Sequence, residues 1–203
     1  MTATNTSPLK KSRPFGAATA AAAAVIALTT LLTGCGSDDA ASVPDGWGTL
    51  DTKALSVGYP KNKGYAEQPA DRRSKSNAAV ALKQESGVRT GMVSVQLDFA
   101  TGVSTAGEAA AAAGAGLGLG STRKATEDIR LVGAESAREA RRIDYEFTAD
   151  GKEDTPTVGT PMTGVVVAGV DSKGVPFAVR INAVKDQLST GDLDAFVKSI
   201  TVK

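Results

Sequence analysis

Beyond residue 53, apolar and polar residues alternate along most of the chain with a period of two, a pattern that predicts strands. Leu55, Val57 and Tyr59 share one face of a first strand, which Pro60 ends. Residues 61–76 (KNKGYAEQPADRRSKS) are polar and broken by proline, and read as a loop. A strand over 77–84 carries Ala78, Val80 and Leu82 on one face, and a second over 91–99 alternates Val93, Val95, Leu97 and Phe99 with Ser94, Gln96 and Asp98. Together they predict a hairpin turning through residues 85–90.

The period then changes. Thr105 followed by Glu108 is a capping box opening an alanine-rich helix from about Ala106 to Ala115. Gly114, Gly116, Gly118 and Gly120 weaken its far end, each glycine costing roughly 1 kcal/mol relative to alanine. A short strand around Ile129 and Leu131 leads through Gly133 into a longer one, with Ile143, Tyr145 and Phe147 inward and Arg142, Asp144 and Glu146 outward. Residues 162–170 and 175–184 read as a hairpin joined by Asp171–Gly174. The last segment is a helix capped near Ser189 or Thr190, whose Leu193, Phe196, Val197 and Ile200 form one apolar stripe. These elements predict an α+β domain: a mostly antiparallel sheet of about seven strands, covered by an internal and a C-terminal helix.

The first residues follow different rules. Lys10, Lys11 and Arg13 form a cationic stretch without acids, and a small, apolar run from Gly16 to Leu32 follows it. The run then meets Leu32-Thr33-Gly34-Cys35, which contains the only cysteine of the chain. That tetrad resembles the lipobox of bacterial lipoproteins. The resemblance implies cleavage before Cys35, a thioether-linked diacylglycerol on its sulfur, and a position on the outer face of the cell membrane. A thiol is a good nucleophile for lipid transfer. Two acyl chains, at roughly 0.8 kcal/mol per buried methylene, anchor stably where one does not. The organisation expected is thus a signal peptide over 1–34, a polar tether over 35–52 and one globular domain over 53–203.

Composition narrows the function classes. Without the leader, 20 basic residues stand against 22 acidic ones, a net charge of −2 that argues against nucleic acid as a partner. With Cys35 acylated no cysteine is left for a disulfide, so the domain relies on its core. The chain has no histidine. That removes Ser-His-Asp and Cys-His catalysis and the commonest zinc ligand, and neither an enzyme nor a metal or cofactor is expected.

Val57-Gly58-Tyr59-Pro60, the stretch from Gly133 to Arg141 and the closing Phe196-Val197-Lys198-Ser199-Ile200 bracket the order hairpin, helix, strands, long hairpin, helix. In that order the chain resembles the PsbP-like fold, and in particular the actinobacterial LpqN-type lipoproteins, over roughly residues 47–203. The resemblance implies a non-enzymatic envelope protein, an adaptor or binding module, with no catalytic residues to carry over.

Candidate chemistry is sparse. Ser121 and Lys124 have Ser-x-x-Lys spacing, but no Lys-Thr-Gly accompanies them, so the match reads as chance. The run Gly114–Gly120 ends a helix, whereas a dinucleotide loop leaves a strand and opens one. Asp144 with Glu146 reads as the solvated side of a strand, and Asp192 with Asp194 as acids in a helix's first turn. Lys61, Lys63, Arg72, Arg73 and Lys75 outnumber Glu67 and Asp71 by three, a candidate contact for an anionic surface. The function expected is recognition of another envelope protein. The alternative is carriage of an apolar envelope ligand, a lipid, between the small-residue helix and the sheet. A pocket lined by apolar residues under that helix favours the carrier, and a filled contact favours recognition.

Overall fold

The computed structural model describes residues 43–203 apart from Leu119 and Glu153. The strands β1 (Gly48–Asp51), β2 (Leu55–Tyr59), β3 (Tyr65–Glu67), β4 (Ala79–Glu85) and β5 (Val88–Leu97) precede helix α1 (Ala106–Ala115). Then come β6 (Thr122–Arg130), β7 (Val132–Gly133), β8 (Glu139–Thr148), β9 (Pro161–Val170) and β10 (Pro176–Val184). Helix α2 (Thr190–Lys198) and β11 (Thr201–Val202) close the chain. Seven strands form one antiparallel sheet in the order β3-β4-β5-β10-β9-β8-β6, and β1-β2-β11-β7 form a smaller one. The expected α+β class, with a large antiparallel sheet and two helices, is what the described residues adopt.

Several elements differ from the sequence expectation. Strand β1 lies inside 35–52, the stretch expected as tether, because Leu50 is fully buried and each β1 residue pairs with β2. Loop 61–76 holds β3, whose Tyr65 inserts into the core and meets the Phe196 ring edge-on at 6.1 Å. The first hairpin turns on Ser86 and Gly87 alone, both at positive φ, so its strands are longer than alternation suggested. Asp98, at φ 51°, breaks the β5 pattern, so Phe99 packs with the α1 cluster and not with Val93 and Val95. Strand β6 is nine residues long and almost wholly exposed; pairing with β8, not alternation, makes it a strand.

Both faces of the large sheet are covered. On one, Val93, Val95, Val165, Val167, Val179 and Ile181 meet Leu50, Leu55 and Val57 of the small sheet and Phe196 and Ile200 after them. All of these are fully buried. Phe196 also stacks at a tilt on Trp47, with ring centroids 4.7 Å apart. Ser199 ties the end of α2 to β2: its Oγ accepts from the Gly58 N–H at 2.9 Å and donates to the Phe196 carbonyl at 2.7 Å. Arg142 was expected in solvent, yet its side chain is only 12% exposed. It extends toward α2 and binds Asp194 at 2.8 Å and Asp144 at 3.0 Å.

Helix α2 starts with a reciprocal cap. Ser189 Oγ accepts from the Asp192 N–H at 3.1 Å, while the Asp192 carboxylate accepts from the Ser189 N–H at 2.9 Å. Partial burial pushes the Asp192 carboxyl up, but the Lys63 ammonium at 2.7 Å and the Ser189 donors outweigh it and hold the group below the usual carboxylate range. A depressed folded value stabilises the native state above the unfolded pKa near 3.9, and that contribution is lost as pH falls through the folded value. Asp192→Asn is therefore expected to cost about 1 kcal/mol at neutral pH, with the difference from the parent closing below about pH 4. Urea melts of both proteins from pH 7 to pH 3 check this.

Candidate functional site

The face under α1 is where the chemistry collects. Helix α1 is ten residues long, so it spans about 15 Å. Strands β8 and β9 beneath it are each ten residues, about 33 Å. The helix begins beside Arg141 and ends beside Ile143 and Arg180, part-way along the strands. Its capping box forms as expected, with Thr105 Oγ1 accepting from the Glu108 N–H and the Glu108 carboxylate accepting from the Thr105 N–H.

Beneath the helix the contact is solid. Ala109, Ala110 and Ala113 are at most 4% exposed and lie against Ile143, Tyr145, Val166, Ala168 and Ala178. Small side chains on the helix let it lie close against these sheet residues.

Past the end of the helix the same face is open. A cleft of about 600 Å³ has Met92, Phe147, Met162 and Asn182 among its lining, with Arg89 and Lys152 beside them. Gly118, Gly120 and Ser121, in the chain leaving the helix, form another wall. The glycine-rich segment thus does not cradle a phosphate at a helix start; it follows a helix that stops early and borders what is left uncovered. Ser121 reaches this cleft, but Lys124 is turned to Glu146, 3.2 Å away, so the two do not form a nucleophile and base.

A polar pair lies at the edge of the cleft, with Asn182 in the lining. The Tyr145 hydroxyl donates to Asn182 Oδ1 over Gly164, where a side-chain carbon would fall within 2.4 Å of the Tyr145 ring. Burial pushes the Tyr145 phenol up to about 12, against the opposing Arg180 charge and the Asn182 bond. It is a donor at neutral pH and not a base. Among the described residues no cluster of three or more histidine, cysteine, aspartate or glutamate side chains is placed to hold a metal.

The five cations of loop 61–76 have separate surroundings. Lys63 pairs with Asp192, and Lys61 lies 5.7 Å from the centre of the Tyr59 ring. Arg72 is exposed in a short 3-10 turn, Arg73 is half-buried, and Lys75 borders a different cleft beside α1. Leu32, Thr33, Gly34 and Cys35 lie outside the described residues. Among the described residues no helix is long and apolar enough to cross a membrane. The open cleft was not legible in the sequence, since Met92, Met162 and Phe147 come from three strands that only the sheet order brings together.

If the helix–sheet contact is as full as its burial implies, Ala110→Leu is expected to destabilise by about 1–3 kcal/mol through overpacking. A thermal melt checks it. A variant as stable as the parent would mean that the helix stands over usable space.

No protein-family profile and no curated protein matches the chain. Among solved structures it is similar to a protein of Bacteroides thetaiotaomicron, with a TM-score of 0.41 and 10% identity over 73% of this chain. The alignment spans 45% of that protein's length, less than half. It is also similar to the cyanobacterial PsbP (CyanoP) of Synechocystis, with a TM-score of 0.46 and 15% identity over 85% of this chain and 99% of that one.

Proposed function

We propose that this protein is a lipid-anchored binding module of the LpqN type on the outer face of the cell membrane, and that it recognises another envelope protein through the open cleft beside α1. The observation that carries the reading is the filled contact of Ala109, Ala110 and Ala113 with the sheet, next to an uncovered stretch of the same face. A carrier of an apolar ligand wants an enclosed apolar space, whereas among the described residues the buried alanines of α1 lie directly on the sheet. The cleft instead mixes Met92, Met162 and Phe147 with Arg89, Asn182 and Thr155. Flexible thioethers adapt to a partner's apolar side chain, and polar groups around them orient it.

Anchoring rests on Cys35. Cys35→Ala is expected to abolish incorporation of a labelled fatty acid while the domain still folds; equal label in the variant would defeat the anchor. The cleft is tested in the native envelope. A photo-crosslinking side chain at Thr155, in the cleft, is expected to capture a defined protein, and capture is expected to be lost on adding Met92→Glu. The same group at Ser172, at the far end of the β9–β10 hairpin, is expected to capture none. Equal adducts from both positions, or a lipid in place of a protein, would refute recognition through this cleft.

A further inference from the structure

On the other flank of the helix end, Arg180 is the only charged residue in β9 and β10, and it points to the α1 face beside Ser94 and Val166. It makes no ion pair among the described residues, and its Nε is buried without a hydrogen-bond partner. Its Nη2 reaches only the Ala113 carbonyl, at 3.4 Å, in the last turn of α1. Gly116 lies beside the group, and a side-chain carbon there would be in ordinary contact with Nη2 at 3.5 Å. Desolvating a guanidinium is costly without a countercharge, and the partial negative end of a helix supplies about half of one.

Arg180 borders a cleft of about 460 Å³ with Lys75, Gln96, Asp98, Phe99 and Ala112. We infer that this cleft binds a small carboxylate carried on a short apolar group, its charge facing Arg180 and Lys75 and its apolar part on Phe99 and Ala112. Asp98 in the same lining offsets one of the two cations, and the single positive charge left suits a singly charged head better than a doubly charged phosphate. A guanidinium and a carboxylate match geometrically through paired N–H donors. This site is separate from the protein-recognition cleft, and neither reading depends on the other.

The test is an NMR titration of the full chain that follows the Arg180 Nε–H signal. Hexanoate and N-acetyl-leucine probe a fatty-acid and a peptide-end source of the same chemistry; hexanol and inorganic phosphate are the controls. Saturable movement of the Nε–H signal by either carboxylate, at least tenfold tighter than by hexanol or phosphate, supports the site. The tighter of the two carboxylates names the source. Lys75→Ala, at an exposed residue, is expected to weaken that binding three- to tenfold, and Arg180→Gln, followed through the broadening of the carboxylate's own proton signals, to remove it. A signal unmoved by both carboxylates, equal movement by hexanol or phosphate, or binding unchanged in Lys75→Ala and Arg180→Gln would overturn the inference.

Discussion

The difference in length between one helix and the strands beneath it governs this molecule. Strands β5, β9 and β10 are buried in the middle of the sheet, and their backbones are satisfied only by neighbours on both sides. One face is closed by the small sheet and α2. The other is left to a helix of ten residues, which covers about half the length of a ten-residue strand. The covered half is packed with alanine, and the uncovered half is a cleft.

Glycines set that length. A helix losing about 1 kcal/mol at each glycine does not persist through Gly114, Gly116, Gly118 and Gly120, and it stops as they accumulate. The same lack of side chains lets one guanidinium group lie close to the end of the helix, with a second beside it. A carbon at Gly114 would fall 2.9 Å from Arg123, and Gly116 lies beside Arg180. Positive charge at a helix C-terminus is favourable, so these arginines also steady the point where the helix ends. Stability and an open surface thus come from one feature of the chain.

Much of the architecture was legible. Alternation in 55–59 and 162–184, the Thr105–Glu108 box and the Ser189 cap all lie where local physics places them. What escaped were elements without a local signal. Strand β3 is three residues, β7 and β11 are two each, and β6 is a charged edge that becomes a strand only by pairing with β8. Arg142 read as solvated because alternation says which face a residue takes but not what lands on that face; here the start of α2 does.

The sequence by itself determined the class of fold, the helix ends, the absence of histidine chemistry and the lipobox-like tetrad at Cys35, because each depends on residue type or on neighbours within a turn or two. Tertiary structure alone decided which strands adjoin, how far α1 reaches along them, and that Met92, Met162 and Phe147 gather in one cleft while Arg180 borders another. Those outcomes depend on contacts between residues far apart in the chain, whose partners no periodicity encodes.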